Sequence, residues 1–443
     1  MARIAIMALE GLEETEAVGT DIPVEEIADQ PENDLAEMQE IATEMESGED
    51  AIDEAADTAE TLGEVQDQMA ETLPEGGMEP AAAAAVEVAV EHMCKRLGFS
   101  AKHSGFALEA FGDKSTRIQA TKIAMETIGD QIKKIWEAIV SAFKKAIAWV
   151  VSFYDKLFDG AAKLAKRAAV VAAAAETKIG ENATLEKDAK VTKGLTNQLN
   201  FAKFLVKGNK FMTGAEIIDA CKKLTEMDGS FLEGKAIFLL KSVGPMQPGK
   251  IDASKLTTHI DSYLNSLGLK ATTGNSKVKA PERMSLYERE LPFGNFSIYS
   301  YHTSDKSGEN AATDIGKIKM FIDTNTEKEN TGTLSEAPFE LKDIVTSAKS
   351  IESHLGKYSG IRTLQAELKK EQESTQADAE KASKAEGVTD AEKKDVMITA
   401  AFVRAQISLT SSALTAIRSY DINACKSVLD YASKSLGNYK KAA

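Results

Sequence analysis

Between positions 128 and 157, nine apolar residues recur at steps of three and four: Ile128, Ile132, Ile135, Ile139, Phe143, Ile147, Val150, Tyr154 and Leu157. Side chains at that spacing share one face of an α-helix, whereas a strand would throw them onto alternate faces. Lys133, Lys134, Lys144, Lys145 and Lys156 supply much of the opposite side. The pattern predicts a helix over 117–158, about 60 Å long at 1.5 Å per residue. Gly129 is a candidate bend and Asp159-Gly160 a candidate end. A second basic, alanine-rich helix follows over 160–176. A stripe this long has to be covered, and two covers are open. One is a bilayer surface, to which Trp136, Phe143, Trp149, Phe153 and Phe158 are suited. The other is the rest of the fold, above all helices nearer the C terminus. It is favoured because amphipathic helices of soluble proteins carry the same pattern.

Those C-terminal helices are legible too. Leu341 to Glu373 predicts one long helix. Thr389 and Glu392 make a capping-box pattern, after which Val396, Ala400, Val403, Ile407, Leu414 and Ile417 keep a helical period. Asp421 is read as the cap of a last short helix. In the middle of the chain, Gly and Pro divide shorter segments. FSIYSY (296–301) alternates, with Phe296 and Ile298 on one face and Tyr299 and Tyr301 on the other, and KIKMFID (317–323) puts Ile318, Met320 and Ile322 on one face. Both predict half-buried antiparallel strands. The fold class is therefore mainly α (α+β), with the long amphipathic helix and the C-terminal helices packed together and a small antiparallel sheet in the middle.

Charge divides the chain more sharply than hydropathy does. The 443 residues carry a formal −16. Residues 1–109 hold 28 Asp and Glu against four bases, a net −24, and the rest holds 41 acids against 49 bases, a net +8. The basic surplus is confined to 110–223, with 20 bases against 12 acids. Residues 11–79 are acidic, poor in aromatics and dotted with Gly and Pro, so they are expected to be disordered or to form loose helices. The bland reading of such a block is a solubilising tail. Four regions are expected: an acidic, largely disordered arm over 1–109, a basic amphipathic helical segment over 110–180, a mixed α/β region over 181–335 and a helical region over 336–443.

No catalytic pattern accompanies this layout. His92, His103, His259, His302 and His354 are isolated, and none stands at metal-ligand spacing from Cys94, Cys221 or Cys425. The odd, scattered cysteines give no disulfide framework and fit synthesis in a reducing cytoplasm. GxGxxG, P-loop and GxSxG patterns are absent. Carboxylate pairs such as Glu288 with Glu290, or Glu371 with Glu373, are expected on solvated faces of a chain so rich in charge. No metal, cofactor or enzymatic activity is expected. The opening MARIAIMALEGLEE has too short an apolar run for a secretory leader, and no stretch of about 18 apolar residues predicts a membrane span.

The sign of the charge changes at Ala107-Leu108-Glu109-Ala110. Ala107-Leu108-Glu109 is similar to the Ser/Ala-x-Glu sites, often followed by a small residue, at which prohead proteases of large tailed bacteriophages of the phiKZ kind cut. Ala8-Leu9-Glu10 resembles the short capsid-targeting peptides of internal head proteins in T4-like phages. Glu44, Glu49, Glu87 and Glu91 fit the tripeptide as well and are secondary candidates with Glu10. Five further matches, Glu126, Glu176, Glu282, Glu309 and Glu352, lie beyond the junction. The segment from Lys133 to Ala168 also resembles a recurrent segment of inner-body proteins in those giant phages.

The resemblance implies a structural internal virion protein, made in the host cytoplasm and ending inside the phage head. Its acidic propeptide would be cleaved after Glu109, within a prohead core whose other proteins, with the prohead protease and the major capsid protein, are the implied partners. The basic body would then pack with double-stranded DNA without sequence preference, Lys133, Lys134, Lys144, Lys145, Lys163, Lys166 and Arg167 being the candidate phosphate contacts. Two rivals stand beside it: a membrane-acting protein ejected with the DNA that uses helix 133–158, and an enzyme without a recognisable motif.

Overall fold

The computed structural model describes residues 32–99, 106–191, 203–208, 210–244, 246, 252–274, 278–303, 311–324, 337–383 and 390–441. Its spine is one helix of 67 residues, Lys114–Gly180, about 100 Å long at 1.5 Å per residue. The expected break at Asp159-Gly160 does not occur. The stripe continues beyond it through Leu164, Ala168, Val171, Ala172 and Ala175, all buried, and burying that run outweighs the roughly 1 kcal/mol that a mid-helix glycine costs. Gly129 does not interrupt the helix either.

We number the other elements in chain order. In the acidic segment, α1 (Glu32–Thr72) and α2 (Pro80–Arg96) precede the spine, which is α3. After it come β1 (Thr184–Leu185), β2 (Val206–Lys207), β3 (Lys210–Phe211), α4 (Gly214–Leu224), α5 (Glu233–Val243) and α6 (Ala253–Ser266). Then follow β4 (Lys270–Thr272), β5 (Met284–Glu290), β6 (Phe296–Thr303), α7 (Ala311–Gly316) and β7 (Lys319–Thr324). The chain closes with α8 (Leu341–Gly356), α9 (Tyr358–Ser383), α10 (Asp390–Ile407), a π-turn over Ser408–Ser412, α11 (Ala413–Leu436) and β8 (Tyr439–Lys440). The architecture is mainly α with small antiparallel sheets, as the sequence predicts.

Both predicted strands are present as β6 and β7, but β6 is buried on both faces rather than half-buried, because the sheet is covered on each side. They lie in an antiparallel sheet of order β4-β5-β6-β7, with Ile298 opposite Ile322 and Tyr299 opposite Phe321. The two faces separate as expected: Ile298 and Met320 join the main core, and Tyr299 joins a small cluster with Val278 and Leu286. The expected helix over 341–373 is two helices, α8 and α9, which meet at Lys357 just after Gly356. Asp421 caps nothing. It lies inside α11, fully buried. Thr389, of the expected capping box, falls outside the described residues.

The acidic segment departs furthest from expectation. Residues 1–31 lie outside the described residues, but 32–72 form one continuous helix docked on the spine. Met38, Met45 and Ile52, then Ala55, Leu62 and Met69, are buried, at the seven-residue repeats of a helix seam. The pairing is antiparallel. Glu37 reaches Lys156, Gly48 lies against the Trp149 ring, Gln66 Nε2 donates to the Met125 carbonyl at 2.9 Å, and the Met78 N–H donates to Thr121 Oγ1 at 2.9 Å. Two cores result. One joins α1 from Ile52 onward, α2 and the first half of α3, with Ala379, Val403 and Ile407 from α9 and α10. The other gathers α4 to α11, the sheet, and Met38 and Met45 of α1 around the second half of α3.

Candidate functional site

The junction where the charge changes sign lies between α2 and α3. Phe106 and Phe111 are buried with ring centroids 6.4 Å apart. Between them a 3-10 turn, Leu108–Phe111, brings Ala107, Leu108 and Glu109 to the surface, with Ala110 half-buried. Two aromatic anchors so close in sequence leave the intervening residues no path but a tight outward turn. The turn is tied in place. The Ala110 N–H donates to the Ala107 carbonyl at 2.8 Å and the Gly112 N–H to the Glu109 carbonyl at 3.2 Å. Thr116 Oγ1 donates to the Ala110 carbonyl at 2.7 Å, and Arg117 Nε to the Phe111 carbonyl at 3.0 Å. Asp113 caps α3, accepting from the Ser115 N–H at 3.0 Å, and that bond holds its carboxyl below the usual carboxylate range.

The other tripeptide matches are placed differently. Glu44 and Glu49 lie within α1, Glu49 buried, and Glu87 and Glu91 lie within α2. Glu126 and Glu176 are in α3 and Glu352 in α8. Glu10 and Glu309 fall outside the described residues. Glu282 is exposed on the turn before β5, followed by Arg283 rather than a small residue. Among the described matches, Glu109 is thus the one in the acidic segment that is not inside an α-helix.

The acidic helix contributes carboxylates to the body. Glu37 pairs with Lys156, Asp53 and Asp57 with Arg404, and Glu49 and Asp50 lie 3.7 and 3.8 Å from Lys319. Just beyond the helix, Glu79 pairs with Arg117. Of the candidate phosphate contacts, Lys133, Lys134, Lys144, Lys145, Lys163 and Lys166 all face outward on α3, Lys144 in an ion pair with Glu380. Arg167 does not belong with them. It is 4 % exposed and its guanidinium pairs with Asp430 at 2.7 Å, so it joins α3 to α11. Exposed Glu137, Asp155 and Asp159 interleave with the lysines and dilute the ridge. The aromatic side of the helix is covered, with Trp136, Phe143, Phe153 and Phe158 buried and Trp149 packed over Gly48. No helix among the described residues is long and apolar enough to cross a membrane.

The densest polar cluster is one the sequence did not single out. Arg418 and Glu233, both fully buried, form a bidentate pair at 2.8 and 2.6 Å. Arg418 also donates to the Met227 carbonyl at 2.9 Å and reaches Asp421 at 3.4 Å. His354 Nε2 lies 2.8 Å from Asp421 Oδ1, Tyr358 donates to Asp421 Oδ2, and Tyr154 donates to Glu233 Oε1 at 2.8 Å. Five helices, α3, α5, α8, α9 and α11, thereby meet at one point. Burial alone would raise the Asp421 carboxyl, but His354 and Arg418 outweigh it and hold the group below its ordinary value. His354, Asp421 and Cys425 have ligand atoms within 4.8 Å of one another. Yet both Asp421 oxygens already accept hydrogen bonds, and burial followed by the Asp421 charge pushes the Cys425 thiol well up, away from the thiolate that binds metal. The cluster reads as a structural hub. Its signal in the sequence was polar residues on an apolar face: Arg418 and Asp421 share the helical stripe of Leu414, Ile417, Cys425 and Val428.

Helices built on a common spine, with charges that pair between them, define a mainly α protein organised around α3. A family model for phiKZ-like phage internal head proteins matches residues 21–434. The chain belongs to that family, whose members lie inside the phage head. No curated protein and no solved structure matches it significantly.

Proposed function

We propose that the chain enters the prohead core as a precursor and that a prohead protease separates residues 1–109 from the body at the Glu109–Ala110 bond. The observation that carries this reading is the placement of Glu109 on a surface turn, at the point of charge inversion, while the other described matches in the acidic segment are locked in helices. A protease seats an extended segment, so a bond inside a docked helix is a poor substrate. In the precursor, the arm's carboxylates occupy Arg117, Lys156, Lys319 and Arg404. After the cut the arm is a separate polypeptide of net −24, and packaged DNA, itself a polyanion, repels it. The body of net +8 remains beside the DNA and binds phosphate through exposed lysines without reading sequence. The core proteins and the capsid are the partners in this scheme, and the covered aromatic face gives the membrane reading no support in the folded precursor.

N-terminal sequencing of the chain from finished particles tests it. The expected first residue is Ala110, and Glu109→Gln should leave the arm attached. Chains that begin at Met1 or Ala2, or a Glu109→Gln chain processed like wild type, would overturn the reading.

A further inference from the structure

We infer that the docked arm itself holds the candidate scissile turn closed, through a latch that runs from Glu79 to Arg117 to the carbonyl of Phe111. The inference rests on the proposed cut at Glu109–Ala110 and concerns its regulation. In the folded chain that bond is exposed but not extended. The Glu109 carbonyl, which a protease must polarise, accepts from the Gly112 N–H, and the Ala110 N–H is committed to the Ala107 carbonyl. To lie along a protease cleft the segment must lose both bonds, release the Ala110 carbonyl from Thr116 and free the Phe111 carbonyl from Arg117. It must also loosen Phe111, which is fully buried.

Arg117 is the positioning residue of this arrangement, and the arm fixes it. Its side chain is 9 % exposed. Nε serves Phe111 while Nη1 meets the Glu79 carboxylate, which comes from the loop between α1 and α2. That loop reaches the spine only because residue 77 is glycine. Its φ is +85°, and a Cβ there would lie 2.9 Å from the Arg117 backbone carbonyl. The neighbouring Met78 N–H is bonded to Thr121. Glu79 is therefore in place when the arm lies on α3 and leaves when the arm lifts. A basic protein surface that captures the acidic arm draws Glu79 away, frees Arg117 and opens the turn, so cutting follows assembly instead of preceding it.

The test is the rate at which a Glu-specific endoprotease cuts the full-length chain after Glu109, followed by mass spectrometry. Cutting after Glu282, on an exposed turn of the body, serves as an internal clock. Arg117→Met should raise the Glu109 rate about tenfold relative to that clock, as expected when one charge-assisted hydrogen bond is removed from a local opening equilibrium. Arg117→Lys, which keeps the charge but not the Nε–H, should also raise it, and Glu79→Gln should raise it less than Arg117→Met. Unchanged ratios would overturn the latch, as would parallel rises at Glu109 and Glu282, which indicate loosening of the whole fold. The two readings fail separately. The N terminus found in particles decides where the cut falls, whereas the rate ratio reports on the turn whichever protease acts in the head.

Discussion

Arg418 is fully buried, so its carboxylate partners offset its charge in place of bulk solvent. Glu233 takes two of its N–H groups and Asp421 approaches a third, with all three side chains at most 1 % exposed. Removing one partner of such a set costs more than the set contributes, because the remaining charges stay buried and unpaired. Arg418→Met should therefore lower stability by about 3–5 kcal/mol, read as a shift of the urea unfolding midpoint. Replacing Arg418 and Glu233 together by apolar residues of similar size should cost much less, and equal losses in the single and double variants would contradict this account. Hydrophobic periodicity cannot find such a residue, because it scores arginine as a surface group. What was legible was the start of α11, through Leu414 and Ile417. Asp421 was read as a helix cap and Arg418 not at all, and their partners come from 63 to 191 positions away, a distance over which one sequence carries no pairing signal.

Two glycines in α1 separate helix propensity from packing. Gly63 has nothing within 4 Å of where a Cβ would lie, whereas a Cβ on Gly48 would run into the Trp149 ring. Alanine in a helix interior is favoured over glycine by about 1 kcal/mol. Gly63→Ala should gain roughly that amount. Gly48→Ala should lose stability despite the same propensity gain, because the indole has to leave its seat between α1 and α3. Thermal unfolding of the two variants checks the contrast, and a stabilised Gly48→Ala would show that the seam is looser than its geometry. The seam also explains why α1 was missed. Its apolar residues stand at seven-residue intervals among exposed acids, so the mean hydropathy falls in the range of disordered chains while the repeat itself persists. The long helix was legible from its stripe, and only its length was misjudged, because Gly160 was weighed by local propensity alone. The π-turn at Ser408–Ser412 had no local signal. The carbonyls it frees at Leu409 and Thr410 are taken up by Tyr263 and Gln372 from α6 and α9, so its reason lies in distant elements.

At the scale of the whole molecule, opposite charges are held together by folding and would be parted by one cut. The arm neutralises the body unevenly. Its carboxylates pair with Arg117, Lys156, Lys319 and Arg404, while Lys133, Lys134, Lys145 and Lys166 stay exposed on the outer side of α3. The uncut chain therefore has lysines to offer DNA, but it offers them beside a net −24, and long-range repulsion opposes approach. Loss of the arm removes that repulsion and releases four more cations. Duplex DNA should consequently bind weakly or not at all to the uncut chain, and measurably to the chain cut after Glu109 and stripped of its arm. If the four exposed lysines are the contacts, the slope of log affinity against log salt should be about −3.6, a loss on the order of a hundredfold between 50 and 200 mM salt. Fluorescence anisotropy with a labelled duplex, read at several salt concentrations and with two unrelated sequences, measures both quantities. Equal affinity of the cut and uncut chains would mean that the arm does not shield the body, and a preference for one sequence would mean that more than phosphate is being read.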